Sequence, residues 1–215
     1  MNGGDAYAWC LGQYRALLDG KTNSVDNVQR RGILLFLDLL SGIECAHQRG
    51  VFSRDIKLEN MLLYKDAKTG ALHSKLADLG VATTDVVSRE LRHGTMSTMA
   101  PEVLIGAQGC DAYSPELADR WSLGIVLFNL LTGLAPWSAA DPDLYSGYAY
   151  YKQNASSLES SADALHFLVA SAHCPNLLNF TLARIIAGLL QIDPIRRTTL
   201  ASVRGDLEAY LTSIP

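Results

Sequence analysis

Residues Trp121 to Ala140, WSLGIVLFNLLTGLAPWSAA, form a stretch of 20 residues without a charged side chain. That length nominally suffices to cross a bilayer, because a transmembrane helix needs about 20 apolar residues. A helix that is apolar on nearly all sides must be surrounded either by lipid or by protein. The stretch predicts a helix buried in a protein core, since polar or helix-breaking residues interrupt it: Ser122, Asn129, Thr132, Gly133, Pro136 and Ser138.

The composition around this helix is that of a folded domain. The chain has 215 residues, of which 48% are apolar and 19% charged, which argues against disorder and coiled coil. Eighteen basic and 22 acidic side chains leave a net charge of -4. Because binding to a phosphate backbone needs a basic face, we expect neither nucleic acid nor a membrane as a partner.

The cysteines and the first residues bear on the compartment. The four cysteines lie dozens of residues apart without a C-x-x-C pair, so they indicate neither a zinc site nor a disulfide framework: Cys10, Cys45, Cys110 and Cys174. The opening MNGGDAY has neither the basic start nor the apolar run of a secretory signal. We therefore expect reduced thiols and a cytoplasmic or nuclear location.

Hydrophobic periodicity predicts a mainly α fold with a small β-hairpin. Apolar residues at Leu35, Leu39 and Ile43 follow the spacing of one helix face. Helices are predicted at 5–18, 24–48, 117–132, 181–190 and 200–211. Two short runs, 61–64 and 74–77, flank the turn-forming sequence KDAKTG, which predicts the hairpin.

The residues whose side chains could carry out a reaction lie in the loop before this hairpin and at its end. SRDIKLEN (53–60) places Lys57 two residues and Asn60 five residues after Asp55, and Asp78 follows the second strand. Phosphoryl transfer requires a carboxylate to orient a hydroxyl, an ammonium to hold a phosphate, and oxygen ligands for Mg²⁺. Their position in loops at strand ends favours a functional site over core packing.

These motifs resemble the C-terminal lobe (C-lobe) of the eukaryotic-type serine/threonine protein kinase family. The matches run in order along the chain: SRDIKLEN for H-R-D-x-K-x-x-N, DLG (78–80) for D-F-G, GT (94–95), APE (100–102), DRWSLG (119–124) for D-x-W-S-x-G, and DPIRR (193–197) for D-P-x-x-R. Lys57 is the choice of serine/threonine kinases, and LADLGVATTD (76–85) is similar to fungal ones. The resemblance implies that 1–215 is a partial kinase domain, from the first to the last helix of the C-lobe.

The resemblance also implies roles at the reaction centre. Asp55 and Lys57 would be catalytic, the first accepting or orienting the proton of the substrate hydroxyl and the second stabilising the transferring phosphate. Asn60 and Asp78 would bind Mg²⁺. The implied cofactors are ATP and Mg²⁺, and the implied substrate is a serine or threonine of another protein.

A second set of residues would face the nucleotide. Leu62, Val126 and Leu130 match positions that form an apolar floor under adenine, and Asp5 matches an acid that meets the ribose of ATP. In a complete kinase this face supports the upper lobe (N-lobe). We therefore expect the face to be partly exposed here and to be a possible partner surface.

Other matches imply supporting roles. Thr95 would hydrogen-bond the catalytic loop, Asp119 would brace the backbone of that loop, and Glu102 would pair with Arg197. Arg54 would bind a phosphate on the activation segment (78–102), with Thr83, Thr84 or Ser88 as candidate phosphorylation sites. The five histidines form no metal-binding spacing, and we interpret each as a surface or packing residue: His47, His73, His93, His166 and His173.

The sequence departs from the family pattern at three points. Ser53 and Leu79 replace the His of H-R-D and the Phe of D-F-G, and no G-x-G-x-x-G or ATP-pairing lysine of the N-lobe is present. The leading hypothesis is a kinase C-lobe lacking the N-lobe and inactive as this truncated chain. The alternative is a noncatalytic, kinase-like (pseudokinase) interaction module. A small-molecule phosphotransferase is disfavoured, because it should lack the A-P-E and D-x-W-S-x-G motifs.

Overall fold

A computed structural model describes residues 4–20, 24–104, 112–172 and 177–214. In these ranges the chain forms α1 (Ala6–Leu18), α2 (Val25–His47), β1 (Met61–Lys65), β2 (Leu72–Leu76), α3 (Pro101–Leu104), α4 (Pro115–Thr132), α5 (Ser146–Asn154), α6 (Leu158–Ser171), α7 (Phe180–Leu189) and α8 (Leu200–Ser213). The prediction of a mainly α fold with a small hairpin is confirmed.

Helix α4 is the centre of the core. The Ser114 side chain accepts a hydrogen bond from Leu117 N at its start, and Gly133 ends it in the left-handed conformation with φ 68°. Leu123, Leu127 and most of their neighbours on the helix are buried, as the uncharged sequence predicts. Within the described residues no helix is both long and apolar enough to cross a membrane.

Helices α2 and α7 close around α4 through glycine contacts. A Cβ at Gly32 of α2 would lie 3.1 Å from the Leu130 carbonyl oxygen, and one at Gly124 would lie 2.8 Å from the Leu190 side chain. Helix α2 begins and ends within a residue of its predicted bounds. The backbones approach closely at these points, so α4 is enclosed along its length.

The hairpin is antiparallel, with Met61 opposite Leu76 and Lys65 opposite Leu72. Its second strand begins two residues earlier than predicted. The Asp66 carboxylate forms the turn by accepting hydrogen bonds from the backbone of Lys68 and Thr69. Met61 and Leu63 are buried, and β2 packs on α2. Because Met61 pairs with Leu76, the loop before β1 and the loop after β2 lie beside one another.

Three helices were not predicted: the short α3, α5 and α6. Helix α5 carries Tyr148 and Tyr151, which pack against the Trp137 ring with centroid distances of 5.2 and 5.1 Å. Helix α6 begins with a capping box in which Ser157 and Ser160 bond reciprocally. Its buried residues Ala162, Leu165 and Val169 have helical spacing, so the signal was present in the sequence.

The cysteines in the described residues are free thiols. Cys10 is buried and Cys45 is exposed. Cys110 and Cys174, together with His173, lie outside the described residues.

Candidate active site

The catalytic loop, residues 53–60, is held from below by Asp119. This aspartate lies in α4 and has no exposed surface. Its Oδ2 accepts a hydrogen bond from Ser53 N and its Oδ1 accepts one from Arg54 N, both at 2.8 Å. The predicted brace is confirmed, and it joins the centre of the core to the main chain of the loop.

His47 is a third partner of this carboxylate that the sequence analysis missed. Its Nε2 lies 2.9 Å from Asp119 Oδ2, and its ring meets the Phe52 ring edge-on at 5.3 Å. The interpretation of His47 as a packing residue was therefore incomplete, because only the fold brings the end of α2 to α4. The Ser53 hydroxyl is buried and has no hydrogen-bond partner among the described residues.

Four side chains form the polar cluster at the top of the loop. Thr95 Oγ1 donates to Asp55 Oδ1 and accepts from Lys57 Nζ, both at 2.7 Å. Lys57 Nζ also lies 2.8 Å from Asp55 Oδ2. Asn60 Nδ2 donates to the Asp55 carbonyl and to its carboxylate, each at 3.0 Å. The structure thus brings Asp55, Lys57 and Asn60 together and confirms the predicted contact of Thr95.

These contacts determine the charge state of Asp55. Burial by itself raises the pKa of this carboxyl group, because it disfavours the charged form. Hydrogen bonds from Lys57, Thr95 and Asn60 stabilise the carboxylate and outweigh burial. The pKa of Asp55 is lowered as a result, and the group is ionised at neutral pH.

Gly94 permits Thr95 to reach the loop. Its φ is 101°, a conformation that L side chains rarely adopt, and a Cβ there would overlap the Arg54 carbonyl oxygen. Arg54 has a positive φ of 61° as well. The approach of the two backbones therefore depends on a residue without a side chain.

Asp78 lies at the open end of the hairpin in a left-handed conformation, with φ 59°. It is exposed, and its Oδ1 accepts a hydrogen bond from Gly80 N at 2.9 Å. Its neighbour Ala77 donates to the Asn60 carbonyl at 2.7 Å, which places the DLG motif beside the loop. Within the described residues no three His, Cys, Asp or Glu side chains form a metal-binding group.

Asp5 and Leu62 meet on one edge of the hairpin. They form an isolated antiparallel bridge, and Leu63 N donates to the Gly4 carbonyl at 2.9 Å. Asp5 Oδ1 accepts from Ala8 N at 2.7 Å and so caps α1. Leu62 is half-buried.

The expectation that Val126 and Leu130 line a partly exposed face is wrong. Both side chains have 0% exposure. Helices α1 and α2 cover this part of α4: the Tyr14 hydroxyl donates to the Leu130 carbonyl at 3.2 Å, and Gly32 packs on Leu130. Of the three proposed floor residues, only Leu62 has exposed surface.

A groove of about 280 Å³ that was not predicted adjoins Lys57. It runs between α1 and α4, and its lining includes Tyr7, Leu11, Glu59, Asn129 and Leu134. Cys10 lies in the same groove, where burial raises the pKa of its thiol to about 12. An open surface thus lies next to the polar cluster, and Cys10 is uncharged within it.

The predicted ion pair between Glu102 and Arg197 is confirmed. Arg197 Nη1 and Nη2 bond the two Glu102 carboxylate oxygens at 2.6 and 2.8 Å, in a bidentate arrangement. The guanidinium also donates to the carbonyls of Gln191 and Leu117 and lies over the Trp121 ring. The pair anchors the end of the activation segment to the core.

Arg54 contacts a carboxylate of the activation segment. Its Nη1 lies 2.6 Å from Glu90 Oε2, and its Nε donates to the Val81 carbonyl at 2.6 Å. Ser88, one of the three candidate phosphorylation sites, is buried. Glu90 was not predicted as a partner of Arg54, because no local sequence pattern indicates which side chain of the activation segment reaches Arg54.

Comparison with known proteins gives a family match and a set of similar kinases. The family model described as protein kinase domain matches residues 12–206. Serine/threonine-protein kinase ksp1 of Schizosaccharomyces pombe is 33% identical over 125 residues, covering 58% of this chain and 26% of that kinase. CBL-interacting serine/threonine-protein kinase 26 of Arabidopsis thaliana is 34% identical over 179 residues, covering 80% and 34%. Serine/threonine-protein kinase CHK1 of Saccharomyces cerevisiae is 34% identical over 178 residues, covering 79% and 29%.

The chain belongs to the protein kinase family, of the eukaryotic serine/threonine type. It spans about a quarter to a third of the length of these three relatives.

Proposed function

We propose that this chain provides the catalytic lobe of a serine/threonine protein kinase that transfers the γ-phosphate of ATP to a protein hydroxyl. The observation that carries the proposal is the cluster in which Thr95, Lys57 and Asn60 all bond Asp55. A carboxylate held by three donors in a loop braced by the core has one fixed position. Transfer of a phosphoryl group depends chiefly on such positioning.

Asp55 orients the substrate hydroxyl and accepts its proton as the bond to phosphorus forms. The lowered pKa keeps the carboxylate ionised at neutral pH, so a lone pair is available. Lys57 stands between Asp55 and Thr95 and presents its ammonium to the negative charge of the transferring phosphoryl group. The groove beside Lys57 provides room for the substrate chain.

Asn60 and Asp78 are the proposed Mg²⁺ ligands. An amide oxygen and a carboxylate are hard donors, and Mg²⁺ in phosphoryl-transfer sites takes few protein ligands, with water and phosphates completing its shell. The amide nitrogen of Asn60 is bonded to Asp55, which leaves its oxygen pointing away from that residue. Mg²⁺ would neutralise charge on the phosphates of ATP.

Leu62 and Asp5 are the proposed contacts for the nucleoside part of ATP. Their shared bridge puts an apolar side chain beside a carboxylate. Capping of α1 uses Asp5 Oδ1, and its other oxygen, which has no hydrogen bond to the described residues, would accept one from a ribose hydroxyl.

We further propose that the 215-residue chain by itself has no appreciable turnover. The sequence contains no glycine-rich phosphate cover and no ATP-pairing lysine. Orientation of reactants contributes about 7 to 11 kcal/mol in well-ordered sites. A nucleotide held on one face loses much of that contribution, so Asp55 alone does not suffice.

The test joins the chain to a kinase N-lobe that carries G-x-G-x-x-G and an ATP-pairing lysine, and measures phosphate transfer from radiolabelled ATP to a basic peptide. The joined protein is expected to turn over, and Asp55→Asn to lower the rate at least about 100-fold. Asp85→Asn is the matched control, because Asp85 is exposed on the activation segment. The unjoined chain should equal its own Asp55→Asn variant.

Two outcomes contradict this reading. Turnover by the unjoined chain would overturn the proposed inactivity. A joined protein that folds and binds Mg²⁺-ATP without transferring phosphate would favour the noncatalytic interaction module. The burial of Val126 and Leu130 excludes these two side chains from the partner surface that this alternative would use.

A further inference from the structure

Arg54 carries a nearly buried charge next to the catalytic aspartate. Its side chain is 8% exposed, and its backbone N–H is bound by Asp119. The guanidinium donates to the Val81 carbonyl and forms its ion pair with Glu90. Since a buried guanidinium without a counter-charge is strongly destabilising, the position of Arg54 depends on the anion that it meets.

Glu90 is held from its other side by residues that precede α4. Its backbone N–H donates to Ser88 Oγ at 3.2 Å, and the Tyr113 hydroxyl donates to its carbonyl at 3.3 Å. Ser88 and Tyr113 exchange two backbone hydrogen bonds, each of 2.9 Å. The carboxylate therefore approaches Arg54 from a segment that is already anchored.

Two of the three candidate phosphorylation sites, Ser88 and Thr83, are engaged in contacts, and Thr84 is exposed. Ser88 is 3% exposed. Thr83 exchanges two backbone hydrogen bonds with Phe52, and its hydroxyl accepts one from Asp85 N. In this arrangement Glu90 meets the guanidinium where a phosphate was expected.

We propose that Glu90 is a positioning residue: its carboxylate is the permanent counter-charge of Arg54 and joins the catalytic loop to the activation segment without any phosphate. The inference rests on the proposed function, because it names what keeps Asp55 in place. The bond is charge-assisted and short, and only the Glu90 end is open to solvent, with 58% exposure. Solvent exposure of Glu90 weakens the ion pair, so the pair mainly affects the order of the activation segment around it.

The ion pair of Arg54 and Glu90 makes the order of the activation segment depend on pH. The hydrogen bond and charge of Arg54 hold the pKa of Glu90 below its usual range, and the nearby His93 acts in the same direction. Tyr113, whose hydroxyl donates to the Glu90 carbonyl, also lies near the Arg54 guanidinium. A carboxyl group with a lowered pKa stabilises the folded state above its unfolded-state pKa, and this stabilisation is lost as the pH falls through its folded-state pKa.

The test is hydrogen–deuterium exchange on the full 215-residue chain, with intact mass used to establish that no phosphate is attached. The probes are the amides of Thr83 and Ser88, which bond to Phe52 and Tyr113. Glu90→Gln is expected to raise their exchange about tenfold, the effect of losing one charge-assisted hydrogen bond at a partly exposed site. Glu90→Asp should restore part of the protection, and Asp85→Asn should leave it unchanged.

The pH dependence of exchange is a second measurement, and it tests whether the charge of Glu90 protects these amides. The wild-type protein is expected to approach the exchange rates of Glu90→Gln as the pH falls through the pKa of Glu90, since both then lack the charge. Equal exchange in the two proteins at neutral pH would overturn the proposal, and so would protection that appears only after phosphorylation. Because exchange needs neither ATP nor turnover, a failure of the proposed kinase activity would leave this result unaffected.

Discussion

Helix α4 and the catalytic loop are built by opposite means. In α4 the polar backbone groups are satisfied within the helix, and most of its side chains after Ser122 are apolar and buried. In the loop, polar groups bond to residues far along the chain: Arg54 N to Asp119, 65 residues away, and Asp55 to Thr95, 40 residues away. The helix is specified locally, whereas the site depends on the core having brought distant segments together.

The largest expected effect comes from Arg197, which joins the end of the activation segment to α4. Arg197→Ala leaves Glu102 buried and unpaired, so it should lower the free energy of unfolding by about 3 to 5 kcal/mol. Arg204→Ala is the control, because its pair with Glu44 is about a quarter exposed and should contribute about 1 kcal/mol or less. Chemical denaturation measures both. Equal shifts would show that burial does not distinguish the two pairs.

A core truncation tests α4 directly. Leu127→Ala should lower the free energy of unfolding by about 2 to 5 kcal/mol, because it leaves a cavity at a side chain with 0% exposure. Leu34→Ala removes a leucine that is 49% exposed on α2 and should change stability much less. Thermal melts of both variants measure the difference, and similar melting temperatures would contradict the central place of α4.

Gly94 tests the site without touching the core. Gly94→Ala should destabilise by about 1 to 2 kcal/mol from its positive φ, with a further loss because the methyl group overlaps the Arg54 carbonyl. Gly70→Ala shares the positive φ but has open space around its Cβ. The difference in unfolding free energy between the variants isolates the contact. No difference would mean that the loop moves aside freely.

The smallest effect is expected at Thr95. Thr95→Val removes the hydrogen bond to Asp55 and the one accepted from Lys57, and should cost about 0.5 to 1.5 kcal/mol, whereas Thr212→Val alters only a bond within α8. The variant should also raise the pKa of Asp55 toward its usual value, so stability is lost at a higher pH on acidification. Carboxyl-carbon NMR titration follows this change. An unchanged pKa would mean that Lys57 and Asn60 alone stabilise the carboxylate.

The core was the more predictable of the two regions. The uncharged run predicted α4, and alternation with turn residues predicted the hairpin, because both signals are local. The short motifs identified Asp55, Lys57, Asn60 and Thr95 through their family resemblance, and the structure brings these four together. Helices α5 and α6 were not predicted because prolines punctuate this part of the sequence, although α6 has a capping box and apolar residues at helical spacing.

The remaining features depend on tertiary contacts. Val126 and Leu130 carry no sequence signal that says which helix covers them. The contact of His47 with Asp119 joins residues 72 apart, and that of Arg54 with Glu90 joins residues 36 apart. The positive φ angles of Arg54 and Asp78 occur at residues other than glycine, so composition did not indicate them.

The brace at Asp119 has a consequence for how this lobe tolerates sequence change. Its carboxylate accepts hydrogen bonds from main-chain N–H groups, which every residue except proline possesses. These two hydrogen bonds therefore do not depend on which side chains occupy positions 53 and 54. With serine at 53, where the H-R-D motif has histidine, the bond is 2.8 Å long. Divergence at that position can thus accumulate while the loop beside it keeps its shape.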